Sequence, residues 1–210
     1  MLFGLNRKYL QGLAMMDLML NCEAFYLDSF MSESTDVTLF NELMNNKRVT
    51  SPFEVTLFDG TRLKNDYGKV TFMDKNLLEK NVLPSEIWGA TQQWTTSIKQ
   101  LKDQIESLTG HHFHFCVCIY YPNGNVGVDY HSDLPAYGDT EYIASISLGQ
   151  ERTFSFREIS TQETTQLTVK SGSLLIMGDK CQQNYEHALL LNPECNLPRI
   201  NLTFRKYEYS

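Results

Sequence analysis

The stretch Arg199-Ile-Asn-Leu-Thr-Phe-Arg205 alternates strictly between polar and apolar side chains, a pattern typical of a β-strand. Its three apolar residues would face a core. Two arginines on the other face are costly to bury without anionic partners, and a planar guanidinium binds a carboxylate through two hydrogen bonds. The stretch therefore predicts a strand that offers Arg199 and Arg205 to a small di-acid inside a barrel. An edge strand with a solvated arginine face is the alternative that this stretch alone leaves open.

The composition is that of an ordinary globular protein. The chain has 210 residues, 42% hydrophobic and 20% charged, which fits a single domain spanning 1–210. No apolar run approaches the roughly 18 residues of a membrane span. The run Leu10–Leu20 is interrupted by Gln11, Gly12 and Asp17, so we interpret it as a core element and not as a signal peptide.

The cysteines indicate a reducing environment. There are five, an odd number, and their spacings match no zinc or disulfide framework. We therefore expect an intracellular protein, in the cytoplasm or nucleus. Cys116 and Cys118 stand two apart on a predicted strand and are interpreted as core thiols.

The net charge of −7 argues against a broadly basic nucleic-acid binder. The segment Lys47–Lys80 differs, because seven basic and five acidic residues give it a charge of +2. A locally positive segment with aromatic residues could contact a phosphate backbone. A solvated surface hairpin is the alternative explanation.

The first half of the chain predicts helices and one hairpin. Asp36 is predicted to be the N-cap of a helix that ends near Asn45. Strands are predicted over 53–57 and 62–73, joined by a turn at Asp59-Gly60 and kinked at Gly68. Apolar residues at helical spacing predict a further helix over Trp94–Leu108, which Gly110 would terminate.

From Phe113 onward, short apolar runs recur about every ten residues. The predicted strands are 113–121, 126–131, 142–149, 152–157, 164–169, 173–177, 185–190 and 199–207. This spacing favours a sandwich, jelly roll or barrel. We therefore predict a mainly β fold with flanking helices, in which residues 1–110 form helices and a hairpin and residues 111–210 form the β core.

A metal site is predicted from three side chains. His131 and Asp133 lie two apart on one strand face, and His187 lies on a later strand. Two histidines and one carboxylate leave three adjacent positions of an octahedral Fe(II) ion open, as in non-haem oxygenases. A lone His-x-Asp pair is a weak signal. The remaining histidines, His111, His112 and His114, are predicted to form a surface cluster.

Taken in order, these motifs resemble the AlkB-like family of Fe(II)/2-oxoglutarate dioxygenases. The likeness is greatest to the eukaryotic homologues that repair alkylated DNA or RNA, and it runs from about residue 60 to the C-terminus. The matching pieces are Tyr67-Gly68 with Phe72, Thr109-Gly110, Tyr121, His131-x-Asp133, Ile143-Ala-Ser-x-Ser-Leu-Gly149, Arg152-Thr-Phe-x-Phe-Arg157, Gly172-Ser-Leu-Leu-Ile-Met177, His187 and Arg199-x-Asn-x-Thr-x-Arg205. The ordered set is highly specific, although no single piece is.

The resemblance implies a double-stranded β-helix, or jelly roll, and assigns the site. It implies that the catalytic iron ligands are His131, Asp133 and His187, and that 2-oxoglutarate is bound by Tyr121, Arg199, Asn201 and Arg205. It further implies that 2-oxoglutarate and O2 are consumed, giving succinate and CO2. An N-alkyl carbon is hydroxylated, and the product releases an aldehyde and the repaired base.

The resemblance also implies a nucleic-acid substrate. The hairpin around Tyr67–Met73 is similar to the family's nucleotide-recognition lid, with Tyr67, Lys69 and Phe72 as substrate-binding residues. Phe72 would stack on a flipped base opposite His131; a core strand residue is the alternative for Phe72. The expected partner is alkylated nucleic acid, with single-stranded or locally unpaired forms favoured because of the net acidity. No membrane partner is expected, and the protein is expected to be a monomer.

The chain departs from the family pattern at two places. Ile119 stands where the family commonly has an asparagine that contacts 2-oxoglutarate. Leu134-Pro135 stands where the repair homologues have an acidic pair that reads the base, and Asp139 is the nearest acid. The second departure puts a 1-methyladenine or 3-methylcytosine preference in question. The same hydroxylation of a protein side chain or small metabolite is therefore one alternative, and a non-catalytic jelly-roll binding module is another.

Overall fold

A computed structural model describes residues 15–56, 59–133, 135 and 138–207. The strands are β1 (Met15–Asp17), β2 (Ala24–Leu27), β3 (Pro52–Thr56), β4 (Arg62–Met73), β5 (Ala90–Gln93), β6 (Phe115–Tyr121), β7 (Val128–His131), β8 (Ile143–Gly149), β9 (Arg152–Glu158), β10 (Thr164–Val169), β11 (Ser173–Met177), β12 (Tyr185–Leu189) and β13 (Arg199–Arg205). The helices are α1 (Glu33–Met44), α2 (Lys47–Thr50), α3 (Lys75–Glu79), α4 (Ser85–Trp88), α5 (Thr96–Thr109) and α6 (Cys181–Asn184). Much of the predicted core run Leu10–Leu20 and the end of the predicted strand 53–57 lie outside the described residues.

The described strands form two sheets of a jelly roll. The larger sheet has the order β1-β2-β11-β8-β13-β6-β4-β3, with β5 parallel to β4, and the smaller has the order β10-β9-β12-β7. The predicted mainly β class with flanking helices is confirmed, and the eight strands predicted after Phe113 are present with ends that differ by a few residues. Because β4 belongs to the same sheet as β6 and β13, the larger sheet combines strands from both predicted parts of the chain. The single-domain assignment stays a prediction.

Strand β13 lies at the centre of the larger sheet, between β8 and β6. Its apolar residues Ile200, Leu202 and Phe204 are fully buried in the core that α1 and α5 cover. Its opposite face looks toward the smaller sheet, and Arg199 and Arg205 on that face are also buried, at 2% and 5% exposure. The edge-strand alternative is therefore excluded, and the arginines lie inside the barrel.

The helix predictions are confirmed with one correction. Thr95 caps α5 by accepting a hydrogen bond from Ile98 N, and Gly110 ends the helix with φ of +73°, a left-handed conformation that favours glycine. Helix α1 is capped by Ser32, so the prediction that Asp36 is its N-cap is wrong. Asp36 lies in the first turn, buried, and accepts a hydrogen bond from Ser171 Oγ at 2.9 Å.

The hairpin of β3 and β4 changes environment along its length. The residues of β4 before Tyr67 are largely exposed, whereas those after Gly68 are mostly buried in the sheet between β6 and β5. Gly68 marks the change because α2 packs against it: a Cβ there would lie 1.8 Å from the carbonyl oxygen of Val49. The predicted irregularity at Gly68 is thus a close approach that only glycine permits.

The predicted core thiols are confirmed. Cys116 and Cys118 are fully buried on β6, and burial raises the pKa of both thiols, which keeps them protonated and unreactive. The histidine cluster is only partly at the surface, because His111 stacks on Tyr142 with ring centroids 3.7 Å apart. Among the described helices, none has the length and apolar character needed to cross a bilayer.

Candidate active site

Strands β7 and β12 bring the three predicted metal ligands together. His131 and His187 are directly opposite in the antiparallel register, with ring centroids 4.5 Å apart. Asp133 follows β7 and turns back toward them, with its Oδ2 3.8 Å from His187 Nε2. One ligand atom from each residue lies within 4.8 Å of the other two. Sequence-distant side chains thus converge on one point.

The contacts of the two histidines leave each ring with a nitrogen that can bind a metal. The Nδ1 atom of His131 lies 2.8 Å from the carbonyl oxygen of Asp129, so Nδ1 carries the proton and Nε2 is left to bind. His187 stacks on Phe154 at a centroid distance of 5.4 Å, and its burial lowers its pKa to about 4. His187 is therefore neutral at physiological pH, as a metal ligand must be.

Asp133 has partners on two sides. Its Oδ1 lies 3.4 Å from Arg205 Nη1, and its backbone N–H donates to Gln182 Oε1 at 2.8 Å. The Arg205 guanidinium thus lies beside the carboxylate that would bind the metal. Two imidazoles and one carboxylate are the donor set that suits Fe(II), so the residues present fit that ion.

Among the described residues, no carboxylate forms an ion pair with Arg199. Its Nη2 donates to Ser147 Oγ at 3.0 Å and to Asn201 Oδ1 at 2.9 Å, whereas Nε and Nη1 have no hydrogen-bond partner among the described residues. Burial lowers the pKa of Arg199 to about 10, which still leaves it charged. Because a buried cation with unused donors is costly, this position fits a carboxylate group such as that of 2-oxoglutarate.

Asn201 orients Arg199. The side chain of Asn201 accepts from Arg199 and donates to Ser145 Oγ at 3.1 Å and to Thr203 Oγ1 at 2.9 Å. Its amide is therefore engaged with the protein on both atoms. The predicted role of Asn201 in co-substrate binding remains a prediction, and the geometry favours an indirect one through Arg199.

A cavity of about 380 Å³ joins the metal ligands to the arginines. The lining residues are Tyr67, Lys69, Trp88, Val117, Ile119, Tyr121, Val128, His131, Ser132, Asp133, Ser145, Phe154, Met177, His187, Leu189, Arg199, Asn201, Thr203 and Arg205. Tyr121 is buried, and its ring centroid lies 5.3 Å from the Arg199 guanidinium carbon. All of the predicted iron and 2-oxoglutarate residues thus border one space of the size of a small-molecule site.

Two of the three predicted substrate-binding residues lie on the hairpin side of the cavity, and their contact with substrate stays a prediction. Tyr67 and Lys69 line the cavity, and the Lys69 ammonium lies 5.1 Å from the ring centroid of Phe53 and 5.8 Å from that of Trp88. Phe72 does not line it, because the alternation of β4 turns this side chain into the helix-covered core, where it is fully buried. The prediction that Phe72 stacks on a base is therefore wrong.

The two departures from the family pattern differ in their consequences. Ile119 lines the cavity, so an apolar side chain stands at the position where an amide was expected. Asp139 is not among the lining residues: its Oδ1 accepts from Glu141 N at 2.7 Å, and its Oδ2 lies 3.5 Å from Lys206 Nζ. Asp139 therefore does not replace the missing acidic pair. Leu134 lies outside the described residues.

Several site residues were missed from the sequence. Ser145 and Ser147 alternate on β8 with apolar residues, which could have indicated a polar inner face. Gln182 and Trp88 lie on helices of four residues, too short for a periodic pattern. No signal in the sequence distinguishes these two from ordinary surface or core residues.

Comparison with known proteins places this geometry in a family. The model of the 2OG-Fe(II) oxygenase superfamily matches residues 23–205. A solved structure of OsALKBH1 superposes with a TM-score of 0.61 over 89% of this chain and 99% of that chain, at 15% identity, which supports the fold.

Of three similar sequences, two carry the names of enzymes. Protein R406 of Acanthamoeba polyphaga mimivirus, described as uncharacterized, is 26% identical over 189 residues, which cover 84% of this chain and 92% of that protein. Human alpha-ketoglutarate-dependent dioxygenase alkB homolog 3 is 35% identical over 122 residues, 53% of this chain and 43% of that protein. Bovine DNA oxidative demethylase ALKBH2 is 31% identical over 124 residues, 54% of this chain and 44% of that protein. The matches to the two named enzymes thus span less than half of their length.

The superfamily uses Fe(II), 2-oxoglutarate and O2, and the His131, Asp133 and His187 cluster fits that chemistry. The chain belongs to the 2OG-Fe(II) oxygenase superfamily, as an AlkB-like member.

Proposed function

We propose that the protein removes N-linked alkyl groups from nucleobases in DNA or RNA by oxidation, releasing an aldehyde, succinate and CO2. The observation that carries this proposal is the shared cavity. The predicted metal ligands, the Arg199 guanidinium and the wall formed by Tyr67, Lys69 and Trp88 all border it, and Arg199 Nε and Nη1 have no hydrogen-bond partner among the described residues. A nucleobase extruded from its strand would place its alkyl group beside the metal ligands while its ring contacts that wall.

Each group of cavity residues has a separate role in the proposed reaction. His131, Asp133 and His187 would hold Fe(II), which with 2-oxoglutarate and O2 supplies the oxidising power to hydroxylate the carbon attached to nitrogen. Arg199 would bind the distal carboxylate of 2-oxoglutarate through its unused donors. Tyr121 lies next to Arg199, and its hydroxyl would form a hydrogen bond with 2-oxoglutarate. The hydroxylated carbon then separates from nitrogen as an aldehyde, and the nitrogen recovers a proton.

A basic groove supports a nucleic-acid substrate. Beside the cavity lies a second depression, whose charged lining residues are the basic Lys47, Arg48 and Lys69 and the acidic Glu54. Lys47 and Arg48 are exposed and could contact phosphates that flank an inserted base. The net charge of −7 disfavours extensive duplex contact, so the proposed substrate is single-stranded or locally unpaired. One relative is named as a DNA oxidative demethylase, which supports this substrate class.

The test is turnover with Fe(II), 2-oxoglutarate and O2 on matched oligonucleotides that carry or lack one N-methylated base, in single-stranded and duplex form. We expect aldehyde and succinate in equal amounts from the methylated single strand, and neither from the His131→Ala variant. Succinate formation that no methylated oligonucleotide stimulates, but that a methylated peptide or small metabolite does, would contradict the nucleobase assignment and favour the alternative that the missing acidic pair permits.

A further inference from the structure

We infer that the cavity selects neutral N-alkylated bases with carbonyl oxygens beside the alkylated nitrogen, such as N3-methyluracil or N3-methylthymine, over cationic N1-methyladenine and N3-methylcytosine. This inference rests on the proposed function and assigns the chemical class of its substrate. Lys69 is the residue that would determine the preference.

Lys69 presents an unneutralised charge to the cavity. It lies on the cavity face of β4, half-buried, with its ammonium between the rings of Phe53 and Trp88. None of the ion pairs found among the described residues involves Lys69, although Glu54 borders the same outer depression as Lys69. Aromatic faces attract a cation but do not cancel its charge. The ammonium therefore remains a hydrogen-bond donor and a positive centre at the border of the cavity.

The charges around the cavity reinforce this effect. Among the described lining residues, Lys69, Arg199 and Arg205 are positive and Asp133 is negative, so three minus one gives +2. The charges of bound Fe(II) and the 2-oxoglutarate dianion cancel each other, which leaves the loaded cavity positive. The cavity screens charges less than water does. A cationic base is therefore repelled by the positive cavity, whereas a neutral base is not.

Hydrogen bonding favours the same class. Exocyclic amines of adenine and cytosine need acceptors, but residues 134–137 are Leu-Pro-Ala-Tyr and supply no carboxylate. Asp139 is turned toward Lys206, and Asp133 belongs to the metal site. Uracil and thymine instead offer two carbonyl oxygens, which accept from an ammonium. The same logic disfavours methylated lysine and arginine side chains, which are cationic.

The experiment compares one single-stranded oligonucleotide that carries either N3-methyluridine or N3-methylcytidine at the same position, at neutral pH, where methylated cytosine is cationic. Aldehyde release gives kcat/KM for each. Fluorescence anisotropy gives Kd on enzyme loaded with Mn(II) and an inert 2-oxoglutarate analogue. We expect the uridine substrate to be preferred about tenfold in both measurements, the contribution of one hydrogen bond to a charged group.

Variants of one strand test the role of Lys69. Lys69→Glu should invert the preference for N3-methyluridine over N3-methylcytidine. Lys69→Gln removes the charge with a side chain of similar length and should bring the two substrates closer to equal kcat/KM. Lys64→Glu makes the same charge change at an exposed position of β4 and should leave the ratio as in the wild type. Circular dichroism confirms that each variant is folded.

The possible failures are distinguishable. A wild-type preference for N3-methylcytidine would overturn the inference while leaving the proposed function intact. A preference for N3-methyluridine that neither Lys69 variant alters would overturn the role of Lys69. Absence of both binding and turnover for every methylated oligonucleotide, with succinate formed on another substrate, would overturn the proposed function and this inference with it.

Discussion

The backbone N–H of Asp133 donates a hydrogen bond to Oε1 of Gln182 at 2.8 Å. Next to it, Ser132 Oγ donates to the carbonyl oxygen of Tyr185 at 3.1 Å. These two bonds tie the loop that carries Asp133 to the segment that leads into His187. The spacing between two metal ligands from distant parts of the chain is thereby set by a side chain that binds no metal.

Replacing Gln182 with Met should weaken metal binding, because the Asp133 loop loses its acceptor while the volume is kept. Loss of such a supporting contact typically lowers metal affinity by about 10- to 100-fold. Mn(II) titration with and without 2-oxoglutarate measures it. Gln183→Met, at the exposed neighbouring position, is the control. Equal Mn(II) affinity in both variants would show that Gln182 does not position Asp133.

His131→Ala should abolish 2-oxoglutarate turnover and leave the fold largely intact, since this side chain is only half-buried. The readouts are succinate formation and the thermal unfolding midpoint. His112→Ala, at a side chain that is 85% exposed, should retain full turnover. Turnover that survives in His131→Ala would remove this residue from the ligand set.

Arg199→Ala should raise the KM for 2-oxoglutarate by roughly 100-fold, because two charge-assisted hydrogen bonds to a carboxylate are lost. Arg199→Lys keeps the charge but loses the planar guanidinium. Its KM for 2-oxoglutarate should therefore lie between those of the wild type and of Arg199→Ala. Steady-state succinate assays over a range of 2-oxoglutarate concentrations give the values. Arg62→Ala, on the exposed half of β4, is the control. An unchanged KM would mean that the di-acid binds elsewhere.

Substitutions of Trp88 and Phe72 should have different effects, because Trp88 lines the cavity and Phe72 packs in the core. Trp88→Ala removes a cavity wall and should raise the KM for a methylated oligonucleotide by about tenfold, the size of one stacking contact. Phe72→Leu should instead lower the free energy of unfolding by roughly 1–2 kcal/mol without changing that KM. Urea unfolding and oligonucleotide kinetics check both. The opposite pattern would restore Phe72 as the stacking residue.

Arg152 should be essential to stability although it lies outside the cavity. Its guanidinium donates to the carbonyl oxygens of Asn123, Val126 and Leu190 at 3.1, 3.1 and 2.7 Å. Arg152→Met leaves these carbonyls without that donor and should cost about 3 kcal/mol in urea unfolding. Arg157→Met, which breaks a partly exposed ion pair with Glu186, should cost under about 1 kcal/mol. Similar losses in the two variants would contradict this account.

The sequence predicted the barrel and its inner arginines well because alternation has only two outcomes on a strand. Once Ile200 faces the core, Arg199 must face the other sheet. The same rule exposes the error at Phe72. Tyr67 and Phe72 differ by an odd number of positions on one continuous strand, so both cannot line the same cavity.

Other features depend on neighbours that no local pattern reveals. Arg199 meets Ser147 because β8 and β13, far apart in sequence, are adjacent in the sheet. Asp36 resembles an N-cap, but Ser32 takes that role and Ser171, from a distant loop, donates to the Asp36 carboxylate. Trp88 reaches the cavity from a single helical turn, which leaves no periodicity to detect.

The close approach of Val49 to Gly68 divides strand β4 into an anchored half and an outer half. Substitutions before Gly68 alter mostly exposed positions, whereas beyond Lys69, which lines the cavity, substitutions at the buried residues Val70, Phe72 and Met73 perturb the core. The described part of the outer hairpin, residues 52–56 and 59–67, is therefore the part of this region where exchange should leave the anchored half of β4 in place. One oxidising centre could in this way be adapted to new targets by exchanging a single surface segment.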